Sequence, residues 1–584
     1  MRQLFKKAAV LLAPLIFSCT LFSPGQAAAV TPQEAIRQQQ ILQQQQEQRR
    51  QELLRQHRES LEKPPSEEQI KPLDKAKGVP DERCFEVRTI VLQGATLLSD
   101  SEKAALKKPY LNKCLTLTDI NNLIRDITNK YIENGYVTTR AAVPRQDLSG
   151  GVLKVLVIEG KVEGIEFKEG VSHAERKLML AFPGIQGELL NIRDIEQGLD
   201  QLNRLPSNNA KVDLVPGSET GFTKVVIDNR TGKTWRATIG MDNSGQESTG
   251  ELQYILGLEK DNPLDCNDLL TFNYNADYES MVMGEHQDSQ SMSAFYSLGI
   301  GYWTITGSWS NFNYRTKLQG TTASFSSSGA TTTSNLAVDY VFHRDTDSKS
   351  SLGMGLTLRD TSNYLAGIKL EAGSHVLSVL DISGTHTERL LGGVLTLNGQ
   401  YSRGLPILGA EPDEDDLNLS DPKAEFDKIT MTMDFHRPFQ VEKHNFSWST
   451  KLWGQWSPDT LYSAERASIG SRYTVRGFHE DSLSGDIGGY MRNELALTLP
   501  LGEQDSITNK VFNSLQIFVG YDAGFTREDS KDAYEKGTVQ GAAVGFRTFG
   551  GRVLTDFTVS KALAAPSHIK TEELDFYASL KVTF

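Results

Sequence analysis

From about residue 231 onward, segments of roughly ten residues alternate apolar and polar side chains, separated by clusters of Gly, Ser, Asn and Asp. Helical periodicity is missing from this half of the chain. A sustained period of two predicts a transmembrane β-barrel. Strands are expected near 234–242, 249–259, 269–278, 292–301, 304–314, 333–342, 351–360, 375–384, 392–402, 426–437, 444–455, 488–499, 513–523, 539–547, 552–561 and 574–584. That makes about sixteen, an even number as closed bacterial barrels require. Asp261 to Asp268, His343 to Ser350 and Pro438 to Lys443 read as short connections. The stretches 315–332, 405–424 and 456–487 read as long loops, the first rich in Ser and Thr and the second acidic from Glu411 to Asp416. The last strand sets Leu574, Phe576, Ala578, Leu580, Val582 and Phe584 on a lipid face. Asp575, Tyr577, Ser579, Lys581 and Thr583 fall on a wet interior.

The pattern before residue 231 is different. In a first module (82–160), Phe85 to Leu92 reads as a strand. Ile120, Leu123, Ile124, Ile127 and Tyr131 then recur at helical spacing, Gly135 is a helix stop, and strands follow at 137–143 and 152–158. In a second module (161–230), Asn191 caps a helix carrying Ile192, Ile195, Leu199 and Leu202, with strands at 209–215 and 222–228. Val143-Pro144 before Lys154-Val155 is echoed by Val215-Pro216 before Lys224-Val225, an internal repeat. Modules of this size in an exported chain bind other chains, often by adding a strand to an exposed sheet edge. The fold class is therefore α+β modules followed by an all-β membrane domain.

Residues 30–63 are Gln- and Arg-rich and open with Thr31-Pro32-Gln33-Glu34, a capping box with Pro at the first helical position. A helix this polar cannot drive its own burial, so it is expected either in solvent or in a water-filled channel. Pro64-Pro65 ends it, and 64–81 reads as a linker. Residues 1–29 read as a cleavable leader, with Arg2, Lys6 and Lys7, an apolar core from Ala8 to Phe22, and Ala27-Ala28-Ala29. Ile16-Phe17-Ser18 is a poor lipidation approach to Cys19.

The 584 residues carry a formal charge of −13, which argues against nucleic acid as a partner. No run of eighteen or more apolar residues suggests a membrane helix. Of the four cysteines, Cys19 leaves with the leader, Cys84 and Cys114 are expected to pair in an oxidising compartment, and Cys266 stands alone in a turn. Enzyme signatures are missing: there is no G-x-S-x-G, H-E-x-x-H or C-x-x-C. Gly232-Lys233-Thr234 looks like the tail of a phosphate loop, but Ile227 takes the first Gly position. The ten His residues show no metal spacing. No catalytic residue, metal or cofactor is expected.

The chemistry that remains is one charged stretch, Tyr473-Thr474-Val475-Arg476-Gly477-Phe478. An Arg facing lipid at mid-bilayer would cost about 2–4 kcal/mol, so Arg476 must meet water, headgroups or an acid. Alternation along 513–523 points Ile517, Val519 and Tyr521 outward and Phe518, Gly520 and Asp522 inward. Along 552–561, Val553, Phe557 and Val559 face lipid, whereas Leu554, Asp556 and Thr558 face the lumen. Gly520 leaves a vacancy beside Asp522. Arg476 is expected to fold inward onto Asp522, with Asp556 as a second candidate, since Arg binds a carboxylate bidentately. The competing reading is a solvated loop charge.

Leader, polar helix, two tandem modules and a sixteen-strand barrel together resemble the outer-membrane transporters of two-partner secretion (the TpsB family). Val475-Arg476-Gly477-Phe478 and the G-x-D at Gly520 to Asp522 resemble motifs of that family and the wider barrel-insertase superfamily. The resemblance implies that the modules are POTRA domains in the periplasm, capturing a large secreted exoprotein through its N-terminal secretion domain. It implies a helix that plugs a barrel set in outer-membrane lipid by barrel-assembly machinery. It also implies a gating latch formed by Arg476, Gly477 and Phe478 with Asp522 and Asp556, and export without a nucleotide. The alternatives are a barrel-assembly insertase and a passive porin.

Overall fold

The computed structural model describes residues 32–61, 72–75, 83–168, 174–278, 288–319, 324–414, 416–418, 420–503, 506–527 and 536–584. The expected leader, Thr31, and the 64–81 linker apart from 72–75 lie outside these residues. Helix α1 (Pro32–Leu61) comes first. Next is a module of β1 (Cys84–Val87), β2 (Thr89–Gln93), α2 (Asp100–Lys107), β3 (Lys113–Thr116), α3 (Leu117–Glu133), β4 (Arg140–Ala142) and β5 (Val152–Ile158). A second module holds β6 (Lys161–Phe167), α4 (Ala174–Ala181), α5 (Ile192–Asn203), β7 (Ala210–Pro216) and β8 (Phe222–Asn229).

The repeat is real at the level of topology. In the first module β2 pairs parallel to β5 and β4 antiparallel to it. In the second, β6 pairs parallel to β8 and β7 antiparallel to it. Helix α3 starts at a capping box made by Thr116 and Asp119 and buries Ile120, Leu123, Ile127 and Tyr131 on one face. Gly135, at φ +92°, ends the turn after it. Its carbonyl accepts the Ile192 N–H at 2.9 Å, joining the end of one module to the first turn of α5 in the next. The pattern reading omitted α2, β3 and α4, which are too short to show a period, and β6, where a bulge between Val162 and Gly164 breaks the alternation.

Sixteen long antiparallel staves, from Trp235–Asp242 to Asp575–Thr583, close into one barrel, with the two-residue strand Ile368–Lys369 as an extra pairing. The seam runs from Ser579 opposite Asp242 to Thr583 opposite Thr238. Outward residues such as Ile517, Val519, Met431 and Leu336 are exposed, as lipid-facing positions should be. The 315–332 stretch corrects the expectation of a long loop. Its described residues belong to the staves Trp303–Gln319 and Ser324–Arg344, which pair as far as Gln319 opposite Ser324. The second of these has 21 residues and spans about 70 Å at roughly 3.3 Å per residue. That is far more than the roughly 30 Å of hydrocarbon a bilayer presents. Beyond the bilayer the outer face of a strand is wet, and here the inner face meets the polar helix α1, with Gln39 on Ser327. Ser and Thr can therefore alternate with no apolar signature, and Thr still favours extended backbone.

The second module sits on the barrel rim. Gln197 and Gln201 of α5 donate to the Gly301 carbonyl at 3.0 and 2.7 Å. Arg344 pairs with Asp200 at 2.7 Å. Asp261, fully buried, accepts the Ser207 N–H at 2.8 Å.

Cys84 and Cys114 form a disulfide that ties β1 to β3, the two strands of a small separate sheet. With a sequence separation of 30, the chain-entropy estimate is about 3–4 kcal/mol of stabilisation. Reducing the full-length protein should make the first module the earliest site of limited proteolysis. An unchanged digestion pattern would mean the bond adds nothing.

Candidate gating site in the barrel lumen

The segment between the staves His444–Trp456 and Ile487–Pro500 folds into the barrel as a hairpin. Ala467–Ile469 pairs with Leu483–Gly485, and at the tip the Ser471 N–H meets the Val475 carbonyl at 3.1 Å. Ile469, Val475, Phe478, Leu483, Val539 and Ile569 form an apolar cluster that fastens the hairpin to the wall. Gly477 is required twice: its φ is +94°, and a Cβ there would lie 2.5 Å from the Ala562 nitrogen.

This fixes Arg476, which is 3% exposed, against a fully buried Asp522. Nε and Nη2 donate to the two carboxylate oxygens at 2.7 and 2.9 Å, and the Arg476 backbone N–H adds a third bond at 3.1 Å. The guanidinium occupies the vacancy over Gly520, where a Cβ would stand 2.0 Å from Nη2. Its Nη1 donates to Glu494 at 3.2 Å, and the Phe518 ring lies 5.9 Å away.

Glu494 is the second carboxylate, and it was not anticipated. It lies directly opposite Gly520 in the ladder and pairs also with Arg547. Its neighbour Leu495 is exposed on the outside, so alternation alone places Glu494 in the lumen. What alternation does not supply is the register that sets it beside Gly520. Arg492, opposite Asp522, donates instead to the Arg472 carbonyl at 2.6 Å.

Asp556 is not brought to the site. Among the described residues the carboxylates on Arg476 are those of Asp522 and Glu494, whereas Asp556 accepts from the Thr558 hydroxyl at 2.9 Å. The ladder explains this. The level of Asp522 continues through Gly541 to Ala562, six residues from Asp556, or about 20 Å along the stave.

Helix α1 lies along the lumen, held by amide spokes. Gln44 donates to the Ser463 carbonyl and the Ser484 hydroxyl, Gln45 to the His479 carbonyl, and Gln48 to the Ser468 carbonyl, all on the infolded segment. Arg37 pairs with Asp481 there at 2.5 Å. On the opposite side Gln43 donates to Asn363, and Glu47 pairs with Arg359 at 3.1 Å. The helix therefore touches both the wall and the segment that carries Arg476.

Gly520→Ala should dislodge the guanidinium, at an overpacking cost of about 1–3 kcal/mol. Heat-modifiable migration of the folded barrel should then be lost at a lower temperature. Gly399→Ala, where a Cβ meets nothing within 4 Å, should leave it unchanged. Equal melting of the two variants would mean the vacancy has no role.

Comparison with known proteins agrees with this architecture. The family described as haemolysin secretion/activation protein ShlB/FhaC/HecB matches residues 221–548. The ShlB-type POTRA domain matches 85–160, and a second POTRA domain family matches 161–216. The outer membrane transporter CdiB of Escherichia coli is 34% identical over 86% of this chain and 83% of its own length. The hemolysin transporter protein ShlB of Serratia marcescens is 31% identical over 84% of each chain. The solved structure of CdiB from Escherichia coli superposes with a TM-score of 0.85 at 33% identity, over 96% of this chain and 100% of that one. With a matching barrel, two POTRA domains and relatives aligned over most of its length, this chain belongs to the ShlB/FhaC/HecB family of haemolysin secretion/activation proteins.

Proposed function

We propose that this chain exports one large partner exoprotein through its barrel, with α1 as the resident plug and Arg476–Asp522 as the latch that seats the infolded segment. The observation that carries the reading is α1 itself. A polar helix bonded to both the wall and the Arg476-bearing segment can be withdrawn into water without exposing a large apolar face. The protein resides in the outer membrane with its POTRA domains in the periplasm, on the rim through which an exported chain would enter. The relatives named as transporters support the same class, and the sequence carries no phosphate-binding loop or catalytic motif. We therefore take export to need no nucleotide and the chain to have no catalysis of its own. Surrounding outer-membrane lipid and the barrel-assembly machinery complete the expected partners.

Deleting the gene should remove one very large protein from the medium or cell surface while other outer-membrane barrels persist. A concerted fall of many barrel proteins would favour an assembly insertase instead.

A further inference from the structure

Apolar contacts interrupt the polar lumen around α1 twice, where Leu42 packs on Phe312 and Tyr314 and again at its periplasmic mouth. There Leu205, Leu269 and Phe295 form a small buried cluster, against which Leu54 and Leu61 of the helix pack. His57 stacks on Phe295 with ring centroids 4.9 Å apart. Leu54, His57 and Leu61 stand three and four residues apart, one stripe on one face of the helix. The collar is built from three separate parts of the chain. Leu205 follows α5 of the second POTRA domain, and Leu269 and Phe295 belong to the staves Asp268–Asp277 and Asp288–Ile300.

The helix leaves space along its length. A cavity of about 70 Å³ runs beside α1 from Gln43 to His57 and reaches Phe295. Another of about 80 Å³ lies beside Leu54, Leu61, Phe295 and Ser297. Apart from Leu42 on Phe312 and Tyr314, α1 is otherwise held by amides and charges that water can replace. At the collar, its departure would leave apolar side chains facing water unless something apolar took its place. The collar also lies where the second POTRA domain meets the pore, so a chain passing between them must cross it.

We propose that this collar is a binding seat for the exoprotein. An unfolded segment with two apolar side chains about 10 Å apart, the separation of Leu54 and Leu61 along the helix, displaces those residues and so releases the plug. The proposal rests on the export reading above. It assigns Leu205, Leu269 and Phe295 a role in cargo transfer and gives the last two turns of α1 the role of a stand-in for cargo.

The test uses the full-length chain in cells, with the protein that the gene deletion removes from the medium as the probe. Leu54→Ser with Leu61→Ser weakens only the occupant, whereas Phe295→Ser or Leu205→Ser alters the seat. Both sets should raise the single-channel conductance of the purified protein. Export should separate them. The occupant variant should export at or above the wild-type level. The seat variants should fall about tenfold, the loss expected for one apolar anchor, and Phe295→Leu should restore export. Wild-type export by the seat variants with raised conductance would overturn the proposal. Where a seat variant fails to reach the membrane, p-benzoylphenylalanine at position 295 decides. Adducts with the exoprotein during export support the seat, and adducts with α1 alone in both states contradict it. If the deletion removes no large protein, the export reading falls and the seat with it.

Discussion

A guanidinium held by two oxygens of one carboxylate, out of contact with water, is the contact on which the lumenal arrangement depends. Removing either partner would cost about 3–5 kcal/mol, because the other would be left buried without its bidentate contact. The pair is 46 residues apart in sequence and joins an infolded segment to the barrel wall. Around it the wall has been cut back to backbone. Gly520 makes room for the guanidinium, Gly541 for the Arg476 carbonyl, and Gly524 for Ile469 and Val475. Glu494 adds a second carboxylate, itself shared with Arg547. The infolded segment is thus seated by shape, charge and the apolar cluster of Val475 and Phe478 together.

Helix α1 is held on different terms. Its spokes are neutral amide bonds, each worth about 0.5–1.5 kcal/mol net because water offers equivalent partners. Many such bonds position a helix firmly yet release it without leaving a buried charge behind. The exceptions are the ion pairs of Arg37 with Asp481 and Glu47 with Arg359, and the apolar contacts of Leu42 with Phe312 and Tyr314 and of Leu54 and Leu61 at the periplasmic mouth. In the proposed mechanism these differences set an order: a plug made for withdrawal rests on a segment made to stay.

Much of this was legible because period-two alternation over long staves is a strong pattern, and each of the sixteen expected strands overlaps a stave. The inward set of Phe518, Gly520 and Asp522 followed from the same alternation. Legibility failed where alternation carries no information. The Ser/Thr ribbon at 324–334 meets the polar helix α1 on its inner face, with Gln39 on Ser327, so it needs no apolar side, and β3 and α2 are too brief to show a period. Asp556 and Glu494 failed for a further reason. Both face the lumen, but only the stagger between staves says which one meets Arg476, and turn sequences alone do not give that stagger. Conversely, the pairing of Cys84 with Cys114 needed no register, since the one other cysteine beyond the expected leader, Cys266, stood far away in a turn.

The most direct test of the central claim is a double-mutant cycle on Arg476→Ala and Asp522→Ala, read as thermal unfolding of the barrel and as export. If the buried pair seats the segment, each single variant should lower the melting temperature and cut export, and the double variant should be no worse than either. Additive losses in melting, or single variants that export normally, would contradict it.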